Sequence, residues 1–157
     1  MRPLWKCPKC SRNFANRNQE HSCGQYSVED FLRGRTQKAI AIYRAFEKLV
    51  LGLGTIILAP AKTRVGFQAR MIFAAVNKLT ADKLHAHVVL ARRLESPRFT
   101  KIETISARNH VHHFTIGEID ELNEDVLTWL REAYQVGMQK NLQRTSRDSP
   151  EARPDDK

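Results

Sequence analysis

Hydrophobic and polar positions change their period twice along the chain. "SVEDFL" opens with Ser27, a preferred helix N-cap, and Asp30 three residues on can close a capping box. Gly34 interrupts this first turn. In "TQKAIAIYRAFEKLVLGLG", Ile40, Tyr43, Leu49 and Val50 fall at helical spacing, with Ala39, Phe46 and Leu53 beside them. This pattern predicts a long amphipathic helix stopped by Gly52 and Gly54.

From 55 to 116 the period drops to two. "TIILA" is a β-branched run ahead of Pro60. In "RVGFQARM", Val65, Phe67 and Ala69 face one way, and Arg64, Gln68 and Arg70 the other. "MIFAAV" is continuously apolar. In "LHAHVVLARR", Leu84, Ala86, Val88 and Leu90 share one face, and His85, His87 and Val89 the other. "ESP" predicts a turn, and "RFTKIETIS" and "HVHHFTI" two further strands joined at "ARN". Five to six short strands with tight links predict an antiparallel meander.

Helical spacing returns in "GEIDELNEDVLTWLREAYQVGMQKNL", where Leu122, Val126, Trp129, Leu130 and Ala133 form an apolar stripe. Acidic residues gather at its start and Lys140 sits near its end, as the helix dipole favours. Residues 143–157, "QRTSRDSPEARPDDK", offer almost nothing to bury and are expected to be a disordered tail. No internal repeat is visible.

The opening stretch "CPKCSRNFANRNQEHSC" follows neither period. It holds all three cysteines of the chain. Cys7 and Cys10 have the spacing that lets two thiolates reach one zinc ion, and His21 and Cys23 supply a third and fourth ligand. Positions i and i+2 point to nearly opposite sides of a helix, so His21 and Cys23 cannot both ligate from one regular helix. His21 is expected to end a short turn, with Gly24 helping the chain to leave it. A structural Zn2+ site would hold a segment too small to fold alone. A disulfide with one cysteine left over, a redox pair and plain free thiols are the alternatives.

The expected fold is therefore α+β. A small zinc finger spans 1–26. A domain at 27–142 follows, built of a helix, an antiparallel sheet of five to six strands and a C-terminal helix. The tail comes last. Hydrophobic residues make up 41% of the 157, enough for a packed core. The longest apolar run, around "LVLGLGTIILAPA", is broken by Gly52, Gly54 and Pro60, well short of the ~20 residues that a membrane helix needs. "MRPLWKCPKC" lacks the features of a secretory signal, so a soluble cytoplasmic protein without membrane contact is expected.

Charge adds a partner class. The formal charge is +9, and it is unevenly spread. Residues 54–100 hold eight basic and two acidic side chains, whereas 118–142 hold two basic and six acidic ones. A positive field of this kind favours polyanions. Lys62, Arg64, Arg70, Arg92, Arg93, Arg98 and Arg108 fall at strand ends or on polar strand faces. With Lys6, Lys9, Arg12 and Arg17 of the finger they could make one phosphate-binding surface, to which Gln68 and Asn109 could add hydrogen bonds. Alternatively they scatter over the surface, some of them paired with the acidic segment.

Histidines supply a second candidate site. "HAH" and "HVH" each place two imidazoles on one strand face: His85 with His87, and His110 with His112, next to His113. If their strands were neighbours, the pairs could surround a metal. "HVH" resembles the His-hydrophobe-His strand motif of single-strand endonucleases that use a helical tyrosine, a role open to Tyr134. Hydrogen-bonded structural histidines are the plainer reading. Carboxylates are scarce from 54 to 117, where only Asp82, Glu95 and Glu103 occur, and this counts against a magnesium nuclease. No nucleophile elbow, phosphate loop or dinucleotide-binding turn is present.

Two resemblances complete the picture. Cys7, Pro8, Cys10, Arg12, Phe14, Ala15, His21 and Cys23 look like the short zinc fingers with three Cys and one His. Many of those space the last His and Cys three apart, where here Ser22 alone intervenes. "LWKCPKC", "FANRNQEHSCG", "VGFQARMIFAAV", "VLARRLESPRF", "ETISARNHVHHF" and "WLREAYQVG" resemble a family of uncharacterised bacterial proteins. In these a short zinc finger precedes a domain of unknown function. That resemblance implies an α+β domain and no established activity. Related domains are sometimes joined to nuclease-like modules. The expectation is non-enzymatic binding, with nucleic acid as partner. A protein-interaction adaptor, whose acidic helix masks the basic sheet, and a metal-dependent phosphodiesterase using the strand histidines are the alternatives.

Overall fold

The computed structural model describes residues 3–8, 13, 14 and 26–140. Two short strands come first, β1 (Trp5–Lys6) and β2 (Asn13–Phe14), paired antiparallel with Trp5 opposite Phe14. The expected tail at 143–157 lies outside the described residues.

Helix α1 (Val28–Leu32) begins as its sequence requires. Ser27 Oγ accepts from the Asp30 amide at 3.0 Å, and Asp30 accepts from the Ser27 amide at 3.0 Å. Gly34 then turns the chain with φ +77°, a left-handed conformation open to glycine at little cost. Helix α2 (Gln37–Leu51) is capped by the Thr36 hydroxyl and ends at Gly52. Its buried stripe is Ala39, Ile42, Tyr43, Phe46 and Val50.

Six strands follow: β3 (Ile57–Pro60), β4 (Val65–Gln68), β5 (Ile72–Leu79), β6 (Leu84–Leu90), β7 (Phe99–Ser106) and β8 (Asn109–Ile116). They form one antiparallel sheet in the order β3-β4-β5-β6-β8-β7. The expected meander holds as far as β6. Beyond it β8 takes the place next to β6, and β7 becomes an edge. Burial gives the reason: His112, Phe114 and Ile116 of β8 are buried, whereas every residue of β7 is at least partly exposed. An edge position suits the more polar strand.

The acidic segment after the sheet is not one helix. A single 3-10 turn (Ile119–Glu121) comes first, and α3 (Glu124–Gly137) starts only at Asn123, whose side chain accepts from the Asp125 and Val126 amides. That cap offers the first amides a better partner than a continued turn would. Leu122 therefore precedes the helix that it was expected to join.

Both long helices lie on one face of the sheet. Phe46 of α2 packs on Phe67 and Phe114, and Trp129 of α3 packs on Phe99 and Phe114. Gly137 lets α3 come close to β5, since a Cβ there would sit 2.7 Å from the Phe73 ring. Among the described residues no helix is long and apolar enough to cross a membrane.

Candidate functional site

Register divides the strand side chains between two faces. Ala86 and Val88 of β6 stand opposite Phe114 and His112 of β8, on the face that the helices cover. His87 stands opposite His113, and His85 opposite Thr115, on the outer face. β6 and β8 are thus neighbours, but "HAH" and "HVH" point to opposite sides of the sheet. The five strand histidines do not gather around one point. Among the described residues no three His, Cys, Asp or Glu side chains are arranged to hold a metal ion.

On the inner face, His112 is fully buried. Its Nδ1 donates to the His110 carbonyl at 2.9 Å, and its Nε2 accepts from the Leu94 amide at 2.9 Å. Both ring nitrogens are occupied, and burial holds the ring neutral by lowering its pKa. Tyr134 packs edge-on against Phe73 at 5.5 Å, also on the helix side. This arrangement ties the inner half of the histidine set to the fold.

The outer face is different. Asn77 Nδ2 donates to His87 Nδ1 at 2.9 Å, the His87 and His113 rings lie 5.5 Å apart, and His113 Nε2 donates to Glu103 Oε1 at 2.8 Å. Burial pushes the His87 pKa down to about 4, helped by the neighbouring His113 ring and the Arg64 guanidinium. His85 is lowered by burial and then by Lys78 and Lys83. The bond from His113, with Lys101 adding to it, holds the Glu103 carboxyl below its usual range. Arg64, Lys78, Lys83 and Lys101 are exposed around this group. Glu103 is the only acidic residue in the six strands.

The basic residues singled out from the sequence separate into two sets. Arg92 forms a two-pronged ion pair with Glu132 at 2.9 and 3.0 Å. Arg93 pairs with Glu95 at 2.6 Å. Arg98 reaches Asn123 and the Glu121 carbonyl and lies over the Trp129 ring. Arg70 donates to Gln139 at 2.7 Å. Lys62 and Arg64 are exposed in the β3–β4 turn and form no ion pair among the described residues. Arg108 is exposed in the β7–β8 turn, at the other end of the sheet. Lys78, Lys83 and Lys101 were not singled out. Register adds Lys78, which a bulge between Val76 and Lys78 sets beside His85, and Lys101, which stands opposite His113, while Lys83 ends the turn before β6.

The N-terminal strands meet this same face. Gln68 of β4 points away from the helices, is fully buried, and donates through Nε2 to the Asn13 carbonyl of β2. Ala75, on the outer face of β5, is 1% exposed although it belongs to no part of the hydrophobic core. Cys7, directly after β1, is 3% exposed. Lys6 is exposed. Cys10, His21, Cys23, Lys9, Arg12 and Arg17 lie outside the described residues.

These features define an α+β protein with one sheet face packed under helices and the other polar and basic. The chain belongs to the family described as Domain of unknown function (DUF5655), whose pattern matches residues 28–137. No curated protein and no solved structure matches it.

Proposed function

We propose that the protein is a non-enzymatic binding protein that holds nucleic-acid phosphates on the outer face of its sheet, beside a zinc-bound N-terminal finger. One observation carries this reading. The outer face and its rim present Arg64, Lys78 and Lys83 around three histidines, with Lys101 paired to Glu103, the only strand carboxylate. Fixed positive charge in excess of the carboxylates around it is what phosphate binding asks for. Arg92, Arg93 and Arg98, bonded to carboxylates and carbonyls of their own chain, are left out of the surface. The buried thiol of Cys7 suits a zinc ligand, and the Gln68 bond brings Lys6 toward the same face.

The test is a fluorescence titration of short single- and double-stranded DNA and RNA with the whole chain, at two salt concentrations. Binding should weaken steeply with salt. Reversing Arg64 and Lys78 to Glu should weaken it at least about tenfold and flatten the salt slope by about one unit for each phosphate no longer neutralised. No binding at low salt, or equal weakening in Arg92→Gln, would sink the reading.

A further inference from the structure

We propose that the groove between the C-terminal end of α2 and the start of α3 binds a small amphiphilic anion: an apolar body carrying one carboxylate or phosphate head. The groove lies on the helix side of the molecule, away from the outer sheet face, and does not depend on the nucleic-acid reading. It is an open groove of about 490 Å³, inside the range of roughly 300–1,000 Å³ common for small-molecule sites.

Its walls are apolar. Leu49 comes from the last turn of α2 and Leu53 from just beyond it, Ile119 from the 3-10 turn and Leu122 from its C-cap, and Leu127 from α3. Ile119 is 50% exposed, one of few large hydrophobic side chains left open to solvent among the described residues. Exposed apolar surface is ordinary when scattered, but here it lines a concavity.

The two charged residues in the lining are both cations, Lys48 and Arg131, and no carboxylate lines the groove. Some exposed cations find acids, as Arg33, Lys38, Arg44, Arg92, Arg93 and Lys101 do, and others, such as Lys62 and Arg64, do not among the described residues; what sets Lys48 and Arg131 apart is that they share one apolar groove. Lys48 and Arg131 form no such pair among the described residues. Two cations from different helices at one apolar groove fit an anionic head, while the leucines and Ile119 hold the body. A neutral amphiphile would leave the charges unused, and a cationic one would be repelled.

The experiment uses the full chain with 8-anilino-1-naphthalenesulfonate as the fluorescent probe. Competitors are decanoate, decyl phosphate, decanol and decylammonium, each below its aggregation limit. We expect decanoate or decyl phosphate to displace the probe at concentrations at least tenfold lower than decanol, with decylammonium weaker still. The stronger of the two anions identifies the head group. The double variant Lys48→Glu/Arg131→Glu should lose at least tenfold in anion affinity. Both residues are exposed, so circular dichroism should show the fold intact. Lys140→Glu, beyond the far end of α3 and outside the groove, should bind as the parent does. Equal displacement by decanol, no displacement by either anion, or unchanged affinity in the folded double variant would overturn the proposal.

Discussion

His112 accepts the Leu94 amide through Nε2 and donates to the His110 carbonyl through Nδ1, both at 2.9 Å, inside a site closed to solvent. The ring therefore joins β8 to the segment that leads away from β6. Its removal would leave the part-buried Leu94 N–H without this partner and a cavity beside Phe99, whose ring centroid lies 4.8 Å away. We expect His112→Ala to destabilise the protein by about 2–4 kcal/mol. His113→Ala, at a half-buried outer-face site, should cost far less. Urea unfolding of the two variants checks the contrast, and equal destabilisation would refute the division of the histidines into an inner and an outer set.

Gly137 tests how α3 meets the sheet. In an open helix, Ala in place of Gly stabilises by about 1 kcal/mol. Here the new Cβ would stand 2.7 Å from one Phe73 ring atom and 3.0 Å from two other side-chain atoms of Phe73. Neither partner is the loose end of a flexible chain, since Phe73 is fully buried and packs on Tyr134. The crowding should outweigh the propensity gain, so Gly137→Ala is expected to lower stability by about 1–2 kcal/mol. A rise in thermal midpoint would show that α3 can shift without cost.

Acid should weaken the fold through His87. Its folded pKa, about 4, lies below the ordinary histidine value, because the ring is buried and faces His113 and Arg64. The unfolded chain therefore binds the proton that the folded chain refuses, and stability rises with pH through the window. The contribution is complete above about pH 6.5 and is lost as pH falls toward 4, at about 1.4 kcal/mol per unit for this one group, roughly 3 kcal/mol in all. His112, lowered in the same direction by burial, adds to the slope. Urea midpoints between pH 7.5 and 4.5 should fall more gently in His87→Gln than in the parent. Parallel profiles would place the acid sensitivity elsewhere.

Much of this was legible in the sequence, and the gaps have physical causes. The Ser27 and Asp30 pair named its own capping box, and Gly52 its helix end, because caps are local chemistry. Strand alternation named the inner face of β6, because side chains in a strand alternate strictly. What alternation could not supply was the order β6-β8-β7, since the choice of which strand of a hairpin lies inside depends on burial against distant helices. Without that order "HAH" and "HVH" could be imagined around one metal, whereas the sheet sets them back to back. The same limit applied to charge. Arg92 and Arg98 look like surface phosphate ligands until α3 brings Glu132 and Asn123 against them. Lys78 was missed because a bulge, invisible in the apolar run before it, turns it to the side of His85.

Arginines already bonded within the chain should behave differently from open ones. Arg92→Gln breaks an exposed ion pair, for which about 0–1 kcal/mol is the ordinary cost, and should leave oligonucleotide binding within about twofold of the parent. Arg64→Gln should leave stability unchanged and weaken binding across all sequences, as removing a phosphate ligand does. Reading affinity and urea midpoint on the same two variants separates a binding role from a structural one. If Arg92 rather than Arg64 controlled affinity, the binding surface would lie on the helix side.

Zinc in the finger should prove separable from the domain. Cys7 is buried, yet it belongs to no part of the hydrophobic core that α2, α3 and the sheet share. Metal bound by Cys7, Cys10, His21 and Cys23 would therefore stabilise residues 1–26 and leave the folding of 27–140 to its own core. Protein prepared without chelator is expected to carry one zinc per chain by elemental analysis, and Cys10→Ser to lose it. Chelation should leave the main thermal transition within a few degrees. It should also loosen the outer face near β4, where Gln68 donates to the Asn13 carbonyl of the hairpin. Amide exchange at Gln68 and Ala75 should then rise while that of Phe46 and Leu130 holds. Absence of zinc from the untreated chain would overturn the metal assignment. Faster exchange throughout after chelation would show instead that the finger and the sheet fold as one unit.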